Sequence, residues 1–536
     1  DGSVDIRNAN YLGIDKTDEI PTGNRKLSAV ALNPKTGMIA AGGWDNRIKL
    51  LQFDNAIKVI KTFEKAHTNI ISKLIFNEEK NILISGSTDG LIKFWDIEKD
   101  RQLLSIYAKS ENEWAVVTPE GYFDGTKAAF ERLHWVIGDQ PLSLDTYFDD
   151  YFQPYLLDLL VNGGMEETGL LEKEAIAGKS LPPSIEILTP MNDTVNAESY
   201  EINVKFKTRT YPVSKAMIYL NGKLVISDDD FKSEIDTAFK TYKVNLISGN
   251  NEIKVVALDI NKASSNAAIV RIINKKPKFS RDLYILAVGV ADYGSKRFDL
   301  NYARKDAESV ISKIQNSGEY YDAIHVYSLF DNQATKANII DKLKTIISSS
   351  KPDDLFLFYF AGHGISQYSP DSTDIDFYFW LYDKSKQYFG NEDNFALTAK
   401  EIGQYISRIK ANKQLLIIDA CQSSAVIYNM YWEMKEKLLK NRNFARMSNL
   451  YGLNILTSTI TSKPSYENRS IKHGVFTYVL LKGMEGDASH DDEYITVGEL
   501  KIFIDKELPK VCRRHYLTQH PYGRLDGSDF TLMKVE

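Results

Sequence analysis

Two residues of this chain have the type and setting for nucleophilic chemistry, His363 and Cys421. His363 stands in Ala361-Gly362-His363-Gly364, just past the apolar run 355–360, and Cys421 in Asp419-Ala420-Cys421-Gln422, just past 415–418. The thiolate is the reactive form of cysteine, and a free thiol is mostly protonated near neutral pH. A neighbouring imidazole can take that proton and later return it to a leaving amine. Gly362 and Gly364 let the backbone turn tightly around the imidazole and approach a substrate. The chemistry would be hydrolysis by a cysteine nucleophile, with the backbone N–H groups of Gly364 and Cys421 holding the oxyanion.

Such a pair needs elements that bring it together. Both runs are apolar on each face, which predicts central strands of a parallel sheet, ending at His363 and at Cys421 and covered on both sides by helices. Ligands bind such sheets beyond the carboxyl ends of the strands. From Arg281 onward strands and helices alternate: strand 283–290, helix 303–317, a strand in AIHVYSLF, then a helix capped by Thr335. Thr398 and Glu401 form a capping box for the helix leading to the Cys421 strand. A strand at 449–460 and a helix at 475–484 complete an α/β pattern.

The totals bound the rest. At 536 residues, three or four domains are expected. The net charge of −6, without a sustained basic block, argues against nucleic acid as a direct partner. Cys421 and Cys512 cannot build a disulfide framework, which favours a reducing, cytoplasmic setting. No run of about 18 apolar residues is present, so no membrane span is expected. Opening at Asp1, the chain reads as a fragment or processed product.

Upstream, IAAGGWDNRIKLLQFD (39–54) and LISGSTDGLIKFWDIE (83–98) repeat at a period of 44 residues. Period, Asp turn and Trp95-Asp96 resemble WD40 propeller blades. The resemblance implies a hydrogen-bonded set of His67, Ser85, Asp89 and Trp95, a structural role for His67, and a degraded first copy with Leu51 in place of the tryptophan. Propellers close with about four or more blades, so the other blades are expected before Asp1 or from another chain. Residues 112–161 are aromatic-rich, with turn chemistry at 119–121 and a helix broken at Pro154; they resemble the bridge of bacterial WD40–caspase fusions. After a linker ending at Pro182-Pro183, short alternating runs and a hairpin at Asn221-Gly222 read as an immunoglobulin-like sandwich, a spacer or docking module without chemistry.

The C-terminal pattern resembles the caspase-like clan of cysteine peptidases: His-Gly after one strand, Asp-x-Cys 58 residues on, then HGVFTY, ITVGELKIFI and HPYGRLDGSDFTL. The expected organisation is therefore WD40 blades at 1–110, a bridge and linker at 111–181, an all-β immunoglobulin-like sandwich at 182–275, and an α/β caspase-like domain at 281–536. The resemblance implies peptide hydrolysis by a His363–Cys421 dyad, the His acting mainly on the leaving group. Where caspases carry Gln, this chain has Asp419, as metacaspases and paracaspases do, and Asp306 aligns with a second acidic position of paracaspases. Two carboxylates in one pocket favour a cation, best an arginine fork, giving cleavage after Arg, with Lys accepted, and little after Asp. Lys435, Lys437, Lys440, Arg442 and Arg446, in the segment after the dyad, are candidate self-cleavage sites. Asp371, Asp374 and Asp376 match either a loop or the calcium dependence of metacaspases; no cofactor is otherwise expected. Cys512 reads as an ordinary buried cysteine. The expected partners are peptide or protein substrates and proteins held by the propeller. The alternative is a non-enzymatic assembly protein that uses propeller and caspase-like domain for docking.

Overall fold

The computed structural model describes residues 3–6, 18–21, 26–54, 56–162, 176–190, 192–231, 236–277, 281–294, 296, 298–316, 320–368, 375–382, 396–422, 443–458, 465–489 and 493–535. The chain forms two compact units, Asp1–Leu144 with Tyr151–Lys179, and Asp145–Asp150 with Ser180–Glu536.

The first unit is built on antiparallel strands. Leu27–Asn33, Met38–Gly43, Ile48–Asp54 and Ala56–Phe63 form one sheet. A six-stranded meander runs from Ile71–Asn77 to Phe123–Gly125. The 44-residue repeat reappears as equivalent hairpins, Met38–Gly43 with Ile48–Asp54 and Ile82–Ser87 with Leu91–Asp96. In the second copy His67 Nδ1 lies 2.9 Å from Asp89, its Nε2 lies 2.8 Å from Ser85 Oγ, and Trp95 Nε1 donates to that oxygen at 2.9 Å. Burial lowers the pKa of His67, so the neutral ring links carboxylate and hydroxyl. In the first copy Leu51 is fully buried in the tryptophan's place. The helix expected at 144–161 comes as three short pieces, Leu144–Tyr147, Phe148–Tyr151 and Leu156–Val161. The break falls at Pro154, after which Tyr155 takes φ 61°.

In the second unit, a three-stranded sheet (Ser184–Ile187, Ser199–Lys207, Thr237–Asn245) faces a five-stranded one running from Asn192–Val195 to Lys223–Asp228. Ile202, Val204 and Phe206 of the first sheet share a core with Ile218, Val255 and Val270 of the second. This sandwich is no free spacer. Its hairpin turns on Asn221 and Gly222, both at positive φ, and the half-buried tip packs against the α/β region, where a Cβ on Gly222 would lie 3.1 Å from the Asp526 carbonyl oxygen. Lys223 Nζ donates to the Ile409 carbonyl, and burial pushes its ammonium down to about 7. Tyr219 donates to the Leu450 carbonyl at 3.0 Å.

The α/β sheet has the order Ala323–Phe330, Asp282–Gly289, Leu355–Tyr368, Lys413–Gln422, Asn454–Thr457, Tyr522–Leu525. All of these neighbours are parallel except the last pair. Period-two alternation feeds two cores. Leu355, Leu357 and Tyr359 face the helices Ala303–Gln315, Val475–Lys482 and Val497–Arg514, while Phe356, Phe358 and Phe360 face Lys336–Ser349 and Ala399–Ser407. Thr335 caps its helix as expected, and Thr398 with Glu401 forms the capping box.

Two expectations need correction. The His363 strand does not end at His363; it continues to Tyr368, because a hairpin partner, Ile375–Trp380, pairs with its far half. The strand expected at 449–460 covers Asn454–Thr457 alone. Residues 443–451 are helical, and Gly452, at φ 66°, turns the chain into the sheet.

Gly452 also receives the sandwich tip: a Cβ there would lie 1.7 Å from the Gly222 carbonyl oxygen. Gly249 has φ 83° and nothing within 4 Å of such a Cβ. Gly249→Ala should therefore cost about 1–2 kcal/mol of left-handed strain, and Gly452→Ala clearly more, as thermal melts of the two variants will show.

Candidate active site

His363 and Cys421 are brought together by register. They are directly opposed on the neighbouring parallel strands Leu355–Tyr368 and Lys413–Gln422. The location is the carboxyl end of the sheet, where the strand order reverses beside Asp282–Gly289. The Cys421 side chain lies outside the described residues. Gly364 is opposed to Gln422 on one side and Phe379 on the other.

The imidazole of His363 is buried, its ring 4.9 Å from Tyr293 and 5.9 Å from Trp380 between centroids. Tyr293 holds the strand as well as the ring, since its hydroxyl accepts the His363 backbone N–H at 2.7 Å. His363 Nε2 is 2.7 Å from the carbonyl of Phe298, which can only accept, so Nε2 carries the proton. That fixes the tautomer and assigns proton exchange to Nδ1. Burial lowers the pKa of the imidazole against the opposing pull of the Phe298 carbonyl and the Glu467 charge, so the resting ring is neutral. Gly362 is obligatory here, since a Cβ would meet the Tyr293 hydroxyl at 2.7 Å.

Asp306 and Asp419 meet on the same face of the sheet, from the helix Ala303–Gln315 and the Cys421 strand. Asp419 accepts the Ser465 hydroxyl on Oδ1 and the Thr477 hydroxyl on Oδ2, each at 2.6 Å, and Tyr359 is 2.7 Å from Thr477. Because Thr477 gives its proton to the carboxylate, Tyr359 donates to Thr477. Asp306 accepts from His473 Nδ1 at 2.6 Å and from the Gly474 N–H at 3.0 Å. Gly474 sits between the acids: a Cβ there would lie 2.7 Å from Asp419 Oδ2 and 3.0 Å from Asp306 Oδ2. Burial pushes Asp306 up to about 6, helped by the Asp419 charge and opposed by His473. Burial also raises Asp419, against the pull of its hydroxyl donors.

Sequence reasoning reached His363, Cys421, Asp306 and Asp419. It quoted His473, Gly474 and Thr477 within HGVFTY without giving them roles, and it missed Tyr293, Phe298, Ser465 and Glu467. Small hydroxyls and a loop carbonyl carry no periodic signal, so their roles emerge only from tertiary contact. Lys435, Lys437, Lys440 and Arg442 lie outside the described residues, as do Asp371, Asp374 and the side chain of Asp376. Arg446 lies in the helix 443–451, its guanidinium held by the Asp149 carbonyl at 2.9 Å and carboxylate at 3.4 Å. Among the described residues no cluster of His, Cys, Asp and Glu has the makings of a metal site. Cys512 is a buried thiol whose pKa burial raises to about 11.

Comparison with known families gives a caspase domain, peptidase C14, over residues 283–516, and a WD domain, G-beta repeat, over 57–96. The chain carries a caspase-family domain behind a WD40 repeat. Metacaspase-1 of Plasmodium falciparum is 25% identical over 165 residues, 29% of this chain and 26% of that protein. The THO complex subunit 6 homolog of Danio rerio is 32% identical over 83 residues, 16% of this chain and 24% of that protein. The chain spans about a quarter of the length of the curated relatives it matches. Among solved structures, a Geobacter sulfurreducens protein aligns at a TM-score of 0.32 and 18% identity, over 47% of this chain and 93% of that one. The fibronectin(III)-like modules of Clostridium thermocellum CbhA align at a TM-score of 0.15 and 22% identity, over 18% of this chain and all of theirs, 100%. No helix among the described residues is long and apolar enough to cross a membrane.

Within the caspase domain, Thr477→Val would strip Asp419 of a donor and leave the fully buried Tyr359 hydroxyl unpaired. We expect a loss of about 1–3 kcal/mol in denaturant unfolding. Thr477→Ser, which keeps the hydroxyl, should recover most of it.

Proposed function

We propose that the caspase domain is a cysteine endopeptidase that cleaves after Arg, and less readily after Lys, through His363 and Cys421. The observation that carries this reading is the register that sets His363 opposite Cys421 at the ligand-binding end of the sheet. The Cys421 thiol passes its proton to His363 Nδ1, and the resulting thiolate attacks the scissile carbonyl. The N–H groups of Gly364 and Cys421 hold the oxyanion. As the tetrahedral adduct collapses, His363 protonates the leaving amine, and a thioester remains on Cys421. Water, deprotonated by the same nitrogen, then releases the acid and regenerates the thiol.

Asp306 and Asp419 supply the basic preference. A buried pair of acids converging on a residue without a side chain is a receptor for a cation, and a planar guanidinium can bridge both. A carboxyl whose pKa is raised on folding costs stability as pH rises through that value. Above about 6 the free enzyme therefore holds a buried charge on Asp306 that His473 and the Gly474 N–H offset only in part, and a bound guanidinium relieves it further. Self-cleavage in the segment after Cys421 belongs to the same reading, as does control or substrate choice by the WD40 region. The rival reading, a docking protein without activity, is tested by the same assays.

On fluorogenic peptides that differ only in the residue before the cleaved bond, Arg should lead, Lys follow and Asp fail; a preference for Asp would overturn the pocket assignment. Cys421→Ala should abolish turnover and should stay intact on a gel if the wild type fragments itself. With Cys421→Ala, an uncleaved Arg peptide should raise the melting temperature more at pH 7.5 than at pH 5, because Asp306 is ionised only above about 6.

A further inference from the structure

The short hairpin formed by Glu467–Asn468 and His473–Gly474 grips the start of the Asp306 helix at three places. At one end the Glu467 carboxylate accepts the backbone N–H groups of Asn301 at 2.9 Å and Tyr302 at 2.7 Å. In the middle Lys305 Nζ donates to the Lys472 carbonyl at 2.9 Å. At the other end His473 Nδ1 meets Asp306 at 2.6 Å, with 15% of the imidazole side chain exposed and 3% of the Asp306 side chain. The Gly474 N–H takes the second Asp306 oxygen. The hairpin thus touches the acid pair at one end, while the charge of Glu467 at the other end reaches His363.

The consequence for Asp306 is orientation. A carboxylate offers about four lone-pair directions. His473 and Gly474 use one on each oxygen and fix the plane of the group, with Oδ2 and Asp419 Oδ2 both flanking the open side of Gly474. A fixed plane matters unequally to the two basic side chains. The guanidinium is a rigid planar fork whose paired bonds need acceptors at set angles, whereas an ammonium is a point charge with rotatable donors that tolerates a turned carboxylate.

We propose that His473 is the positioning residue that makes the pocket discriminate Arg from Lys, by locking the Asp306 carboxylate into the geometry that a guanidinium needs. The proposal rests on the cleavage preference argued above. The donor that matters is Nδ1–H, which an asparagine side-chain amide can place similarly, while alanine removes it and phenylalanine keeps only the ring.

The test compares the full chain with His473→Ala, His473→Phe and His473→Asn on paired Arg and Lys peptides, reading kcat and KM separately. His473→Ala and His473→Phe should lower the ratio of kcat/KM for Arg over Lys by about tenfold or more, the scale of one charge-assisted hydrogen bond. The loss should lie in KM for the Arg peptide, with its kcat and the Lys peptide little changed. His473→Asn should restore the ratio; if the other two variants fail to fold, its ratio against that of His473→Gln, whose longer amide misplaces the donor, decides. Equal losses on both peptides, or an unchanged ratio in folded variants, would overturn the proposal. Absence of any cleavage after basic residues in the unaltered chain would instead remove the cleavage reading on which it rests.

Discussion

Two acids buried side by side are the constraint on which the caspase domain is organised. Taken from water and set a few ångströms apart, two carboxylates repel by about 3 kcal/mol at an effective dielectric of about 20, besides the cost of desolvation. The protein meets that cost with donors. Ser465 and Thr477 serve one acid, and His473 and the Gly474 backbone serve the other. These donors come from the loop after the strand Asn454–Thr457 and from the hairpin and helix that follow it, so the segment 465–477 must fold against the Asp306 helix for either acid to be tolerated. A purely structural role would be met more cheaply by apolar side chains, since replacing buried charges with hydrocarbon of similar size is often neutral or stabilising. The pair is nonetheless kept buried and converging on a glycine, and the proposed cation site rests on that arrangement.

The same segment connects the acid pair to the His363 imidazole. Glu467 holds the backbone just ahead of the helix that carries Asp306 and bears electrostatically on His363, whose tautomer is set by the Phe298 carbonyl just upstream of that helix. The loop following Asp282–Gly289 and the hairpin following Asn454–Thr457 therefore meet at the sheet's carboxyl end. This is where an open α/β sheet leaves room for a ligand, because successive connections diverge to opposite faces. Here the divergence lies between Asp282–Gly289 and the His363 strand.

What the sequence disclosed follows from which signals are local. The apolar runs 355–360 and 415–418, the caps at Thr335 and Thr398, and the Asn221-Gly222 turn act within a few residues, and each appears in the structure where it was expected. The WD40 set of His67, Ser85, Asp89 and Trp95 was legible through the resemblance to WD40 blades, since the first copy keeps only the aspartate, Asp45. The full length of the His363 strand was not, since its extension depends on a hairpin partner further along. Nor was the fate of 449–451, where an apolar stretch suits strand and helix alike and a distant docking contact at Gly452 decides. His473 stood in a motif that was read for resemblance alone; its role depends on Asp306, 167 residues earlier, and no local pattern links the two.

The sandwich bears on the site through the chain that resumes after the Cys421 strand. Ahead of Gly452 lies the helix 443–451, and three contacts from outside the α/β sheet hold this stretch: Asp149 on Arg446, Tyr219 on the Leu450 carbonyl, and the Gly222 turn on Gly452. Directly beyond Gly452 comes Asn454–Thr457, which lies in register with Leu415–Ile418 of the Cys421 strand. A hairpin tip closed by two left-handed residues is rigid, and the Lys223 amine buried beside it would have to be rehydrated for the tip to withdraw. The downstream end of the segment after Cys421 is thus fixed by the sandwich, not by the sheet alone. Any rearrangement of that segment, by cleavage or by a partner, must work against an anchor that belongs to another module.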